Sequence, residues 1–167
     1  MLLYSRISAL YSEGLYINYS MQLKGKETFP ASAQQIWDLL MDKDKLALVT
    51  PGISRLEELE NGQYEAIADI DIGPVKGQFK GKLEMLDKIP PYDVTLKAKQ
   101  LSKIGNADVS INLNLEETGD NQCVLSFKGA AKMSGLLARM GQRVMTGVAN
   151  TITKQFFVAL REELAKE

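Results

Sequence analysis

Along most of the chain, apolar and polar positions alternate in short blocks, and only two stretches change to a helical spacing of three or four. A short strand fits Met21 to Phe29 and is ended by Pro30. Ser32 and Gln35 then stand at capping-box spacing ahead of Ile36, Trp37, Leu39 and Leu40, which predicts a short helix. Asp42 can cap a second helix running to Leu48, and Thr50-Pro51-Gly52 stops it. Six alternating segments follow: Ile53–Glu60, Gln63–Ile72, Val75–Asp87, Tyr92–Ser102, Ala107–Thr118 and Gln122–Met133. They are separated by Asn61-Gly62, Gly73-Pro74, Pro90-Pro91, Ile104-Gly105-Asn106 and Gly119-Asp120-Asn121, which predicts an antiparallel meander. Asn61-Gly62 is the strongest hairpin signal among these turns.

The pairing register can be tested within the sequence. If Gly73-Pro74 is a two-residue loop, one face pairs Ile72 with Val75, Ile70 with Gly77, Ala68 with Phe79, Ala66 with Gly81 and Tyr64 with Leu83. The other face then pairs Asp71 with Lys76 and Glu65 with Lys82, opposite charges directly across the ladder. One register satisfies both faces.

From Ser134 to about Lys166, Leu137, Met140, Val144, Val148, Ile152, Phe156, Leu160 and Leu164 recur at steps of three or four. This predicts one unbroken amphipathic helix of about 30 residues, some 45 Å long at ~1.5 Å per residue. Its stripe has one place to be buried, across the concave face of the sheet. The inward positions of the strands mix small residues, Ala66, Ala68, Gly77, Gly81, Ala98, Gly129 and Ala131, with larger ones such as Phe79, Leu83, Met85 and Leu96. Two readings of that mixture stand. The glycines let a long sheet curl around a solid interior, or the small residues leave an apolar cavity lined by adaptable methionines and aromatics. The cavity reading takes Ala68, Phe79, Gly81, Met85, Leu96, Ala98 and Gln100 from the first inward strands. It takes Val109, Ile111, Leu125, Phe127, Gly129 and Met133 from the last two, and Met140, Val144 and Val148 from the helix.

Composition narrows the chemistry. The chain has 167 residues, 45% of them apolar, enough for one well-filled core. Lys+Arg 20 nearly balance Asp+Glu 21, so no basic field favours nucleic acid. With His 0, the usual general base and the commonest zinc ligand are missing. A lone cysteine, Cys123, excludes an internal disulfide and any paired-cysteine metal site, and points to a reducing compartment. No metal and no cofactor are expected. The first 20 residues carry Arg6, Ser12, Glu13, Gly14 and Asn18, too polar for a transmembrane helix and without the form of a signal peptide. A cytoplasmic protein is therefore the expectation, with peripheral membrane contact left open. Tyr4, Tyr11, Tyr16 and Tyr19 cluster ahead of Met21, so residues 1–20 are read as an N-terminal extension and 21–167 as the domain.

Several runs carry a resemblance: Pro51-Gly52 followed by Leu56-Glu57, the stretch Ile72-Gly73-Pro74-Val75-Lys76-Gly77-Gln78-Phe79-Lys80-Gly81-Lys82, and Gln155-Phe156-Phe157. Over roughly Met21–Leu164 the chain resembles the carbon monoxide dehydrogenase CoxG family of START-like domains. The resemblance implies an α+β helix-grip fold: a seven-stranded antiparallel sheet wrapped around the C-terminal helix, two short helices after the first strand, and a hydrophobic cavity between. It also implies a partnership with carbon monoxide dehydrogenase and related molybdenum hydroxylases, in assembly or membrane attachment, and a superfamily habit of binding lipids and other apolar molecules. It carries no catalytic residue across. Some members continue into a tail and membrane anchor, whereas this sequence stops at Glu167.

Polar candidates are few. Glu27 shares a face with Leu23 and Phe29, either as an inward carboxylate or at a wet rim. Arg139 and Arg143, one turn apart, can hold a carboxylate, phosphate or quinone oxygen at a cavity mouth or simply face solvent. Gln100 and Ser102 continue the inward phase of Val94, Leu96 and Ala98 and can orient a ligand's polar group. Cys123 alternates in phase with Leu125 and Phe127 and reads as a small buried hydrophobe. Seven lysines between Lys76 and Lys103 face three acids, while Ile53–Asp71 holds one arginine against six, a two-signed exterior that can orient a partner.

Three functions are compatible with this reading. The first is a non-enzymatic module holding an apolar, lipid- or quinone-like molecule for a carbon monoxide dehydrogenase-type enzyme. The second is a cyclase or dehydratase whose acid-base groups would be Glu27, Tyr64 or an Asp, and the third is an assembly module without ligand.

Overall fold

The computed structural model describes residues 19–166. Residues 1–18 and 167, and with them most of the expected N-terminal extension, lie outside the described residues. Strand β1 (Tyr19–Phe29) leads into helices α1 (Ala33–Met41) and α2 (Lys43–Val49). Strands β2 (Ile53–Glu58), β3 (Gln63–Ile72), β4 (Val75–Ile89), β5 (Asp93–Leu101), β6 (Ala107–Gly119) and β7 (Gln122–Met133) follow. Two helices come last, α3 (Gly135–Arg139) and α4 (Gln142–Ala165). All seven strands form one antiparallel sheet in the order β1-β7-β6-β5-β4-β3-β2. The expected α+β order is present, with β1 starting at Tyr19 rather than Met21.

Local chemistry explains the helix boundaries. Gln35 N–H donates to the Ser32 hydroxyl at 3.1 Å, and Ser32 N–H donates to the Gln35 amide oxygen at 2.8 Å, the reciprocal box that starts α1. The Asp42 carboxylate accepts from the N–H groups of Asp44 and Lys45 at 3.0 and 3.1 Å and starts α2. Thr50 Oγ1 donates to the Leu46 carbonyl at 2.7 Å where α2 ends.

The β3–β4 register is the one expected from the sequence, from Ile72 opposite Val75 to Tyr64 opposite Leu83. Lys76 and Asp71 approach to 3.6 Å on the wet face. Asn61 and Gly62 take positive φ, 67° and 71°, as a tight turn requires. They do so within a 3-10 turn over Glu60–Gly62, so β2 ends at Glu58 rather than Glu60.

The expected single C-terminal helix is broken. Gly141 has φ +84°, outside helical space, and separates the five residues of α3 from the 24 of α4. α3 is tied elsewhere: Leu137 N–H donates to the Ile104 carbonyl at 3.0 Å and Ser134 N–H to the Asn106 carbonyl at 3.0 Å. The glycine lets the chain leave that anchorage and lie across the sheet. The break also resets the helical phase, so Met145 and Val148 are buried while Val144, expected inward, is 36% exposed. Further along, Phe157, Leu160 and Leu164 complete the buried stripe, and Phe156 is half-buried.

Two packed regions flank the middle of the helix. One joins α1 and α2 to the C-terminal half of α4 through Trp37, Leu39, Phe29, Phe157 and Leu160. The other gathers Met21, Val75, Phe79, Met133, Leu137 and Met145 at the opposite end.

Gly81 and Gly129 sit where neighbouring strands come too close for a side chain. A Cβ on Gly81 would lie 1.7 Å from the Lys99 carbonyl oxygen, and one on Gly129 2.0 Å from that of Ser110. These two glycines therefore bend the sheet, the curvature reading of the sequence. Gly147, on α4, has nothing within 4 Å of its would-be Cβ. Gly81→Ala is expected to lower the unfolding free energy in urea titration by at least the roughly 1–3 kcal/mol of core overpacking. Gly147→Ala is expected to raise it by about 0.5–1 kcal/mol, because only chain entropy changes there.

Candidate functional site

A curved sheet and a straight helix leave a gap where their surfaces diverge. That gap is an apolar cavity of two adjoining lobes, about 230 and 370 Å³. Ile53, Leu83, Ile111, Phe127 and Ile152 border both lobes, so the lobes meet between the two packed regions. The smaller lobe reaches under α1 and α2 to Leu40 and Leu46. The larger extends toward Met21, Met133, Leu137 and Met145. Inward residues such as Ala68, Leu83, Leu96, Val109 and Ile111 remain only half-buried, because open space faces them in place of a neighbour.

Most of the expected cavity residues line this space. Met85 and Leu96 border the smaller lobe, Ile111 and Phe127 both, and Ala68, Phe79, Ala98, Gln100, Val109, Met133 and Val148 the larger, with Val148 contributed by the helix. Five do not. Gly81 and Gly129 are occupied by neighbouring backbone, Leu125 is fully buried in the solid core, Met140 packs at its edge and Val144 faces out. Thr50, Pro51 and Thr153 line both lobes and were missed. The first two read as a helix stop, and Thr153 lies one position off the apolar stripe.

The three charged candidates are all outside the cavity. The Glu27 carboxylate is 2.8 Å from the guanidinium of Arg161, which also donates to the Thr28 carbonyl at 3.0 Å and lies 4.9 Å over the Phe29 ring. The glutamate is thus a rim residue that holds the end of α4 against β1. Arg139 and Arg143 are exposed and border neither lobe. Ser102 is used within the β5–β6 loop, donating to the Gly105 carbonyl at 2.6 Å and accepting from Ile104 N–H at 3.2 Å.

Among the described residues, no ionisable side chain lines either lobe. Tyr64, one of the groups considered for acid-base work, packs beside the core, and burial followed by the charge of Glu58 pushes its phenol up. Among the described residues no cluster of His, Cys, Asp or Glu could hold a metal ion. No described helix is long and apolar enough to cross a membrane.

The sequence profile of CoxG, a family of carbon monoxide dehydrogenase subunits, matches residues 25–165. The chain belongs to that family. Among solved structures, a conserved protein from Geobacillus kaustophilus is similar to this CoxG-family chain with 27% identity and a TM-score of 0.85, covering 87% of this chain and 96% of its own. The ZhuI aromatase/cyclase from Streptomyces sp. R1128 is 13% identical with a TM-score of 0.66, covering 89% and 95%. A protein from Rhizobium leguminosarum is 8% identical with a TM-score of 0.68, covering 90% and 97%. At these last two identities the likeness is one of fold, and the fold is the helix-grip expected from the sequence. No curated protein sequence gives a significant match.

Cys123 is fully buried beside the core, and burial first, then the charge of Glu117, pushes its thiol above the ordinary range. The folded chain holds this proton more tightly than the unfolded one. The thiol therefore favours folding below the free-thiol pKa, and that contribution is lost as pH rises through the raised folded value. The native protein is expected to resist a disulfide reagent at pH 8 and to react fully in urea, as thiol release followed by absorbance will show.

Proposed function

We propose that this CoxG-family chain is a non-enzymatic binding module that holds an apolar small molecule, lipid- or quinone-like, between sheet and helix. The observation that carries this reading is the pair of joined lobes with apolar walls and no ionisable lining side chain. Leaving apolar space unfilled costs on the order of 24 cal/mol per Å³. For a lobe of 370 Å³ that is several kcal/mol, against a typical net stability of roughly 5–15 kcal/mol. An apolar guest removes that cost, and the lobes have the size of ordinary ligand pockets.

The enzymatic alternative is the weaker one. The aromatase/cyclase neighbour shares the fold, but proton transfer needs an acid or base within hydrogen-bond reach of the substrate, and these walls supply none. The family takes its name from carbon monoxide dehydrogenase, which supports an enzyme of that type as the partner of the module.

Organic extraction and native mass spectrometry of the purified protein are expected to reveal a bound apolar molecule. The neutral fluorophore N-phenyl-1-naphthylamine is expected to bind with enhanced emission. Ala98→Phe, which puts a ring into the larger lobe, should weaken that binding about tenfold or more while leaving the circular dichroism spectrum unchanged. A ligand-free protein that takes up no fluorophore, or equal binding by the Ala98→Phe variant, would overturn the reading.

A further inference from the structure

The larger lobe has one polar feature that its apolar walls do not account for. Gln100 lines it from β5, and the Gln100 side-chain oxygen is buried without a hydrogen-bond partner. The reason lies in the strand register: directly opposite Gln100 stand Gly81 on β4 and Ala107 on β6, neither of which has a polar side chain. Ala98, the preceding residue on the same face, has none either. A buried amide oxygen left unpaired costs roughly 1–3 kcal/mol. The end-group torsion of glutamine is broad, so the amide can present either its oxygen or its nitrogen to the lobe.

We infer that Gln100 is the polar anchor of the cavity, and that the guest is a neutral molecule carrying a hydroxyl group on an apolar body. This rests on the binding role of the cavity proposed above and narrows the class of guest. A hydroxyl can donate to the Gln100 oxygen or accept from its N–H₂ and so satisfies the amide in either orientation. A carboxylate or ammonium head is disfavoured, because no lining side chain carries a charge to compensate its desolvation. Thr153 borders both lobes and makes no side-chain hydrogen bond with any other described residue, which offers a second, weaker polar contact along the helix side.

Displacement of N-phenyl-1-naphthylamine by 2-naphthol, 2-methylnaphthalene and 2-naphthoate tests this, since the three share one ring system and differ in the polar group. The quantity read is the ratio of dissociation constants, naphthol over methylnaphthalene, compared between wild type and Gln100→Leu so that differences in water solubility cancel. That ratio is expected to rise about tenfold in Gln100→Leu, the size of one hydrogen bond, chiefly through weaker naphthol binding. Gln100→Met, which keeps the side-chain length, is expected to give the same shift, and methylnaphthalene binding reports that both variants are folded. In wild type, 2-naphthoate at pH 7 should bind at least tenfold more weakly than 2-naphthol. An unchanged ratio in both variants, or naphthoate binding as tightly as naphthol, overturns the inference and leaves the cavity reading standing. Uptake of none of the three compounds by wild type overturns both.

Discussion

A helix laid in the hollow of a curled sheet cannot meet that sheet at van der Waals distance along its whole length. Here the curl is imposed where β4 meets β5 and β6 meets β7, since the backbone there approaches so closely that Gly81 and Gly129 admit no Cβ. Contact is good at the two ends, where α1 and α2 fill one side and α3 with the methionines fills the other. Between them only small side chains, Ala66, Ala68 and Ala98, stand under the helix, and the space stays open. The cavity is therefore a property of the curvature and not an addition to it.

The same constraint explains why the C-terminal segment is two helices. α3 belongs mechanically to the β5–β6 loop, through the hydrogen bonds of Leu137 and Ser134 with Ile104 and Asn106. α4 belongs to the sheet, and its far end is held by Arg161 across Glu27, Thr28 and Phe29. One straight rod could not satisfy both anchorages, and the positive φ of Gly141 absorbs the change in direction.

Much of this was legible in the sequence because it depends on period and pairing. Strand alternation, the capping box at Ser32 and Gln35 and the charge pairs flanking Gly73-Pro74 all point to one arrangement, which the backbone adopts. The inward phase of Gln100 was legible for the same reason. The break at Gly141 was not, since helices tolerate isolated glycines and the three-to-four spacing of apolar residues continues across it. Nor could composition separate glycines that bend a sheet from glycines that line a space, because the residue is the same and only the neighbouring backbone distinguishes them. The charged candidates failed on reach: Glu27 lies on the inward phase, yet the end of α4 arrives there first and pairs with it.

An open sheet with so apolar an interior has two free edges, and both are poor templates for another chain. β2 is six residues long, shifts register between Ile53 and Arg55, and carries Arg55, Glu57 and Glu58 in alternation with its few apolar side chains. β1, the other edge, presents Lys24 and Lys26 on its wet face. Short, bulged and charged edges resist the strand-to-strand association that ends in aggregates. A protein built around an unfilled apolar hollow can thus remain dispersed at high concentration whether or not the hollow is occupied.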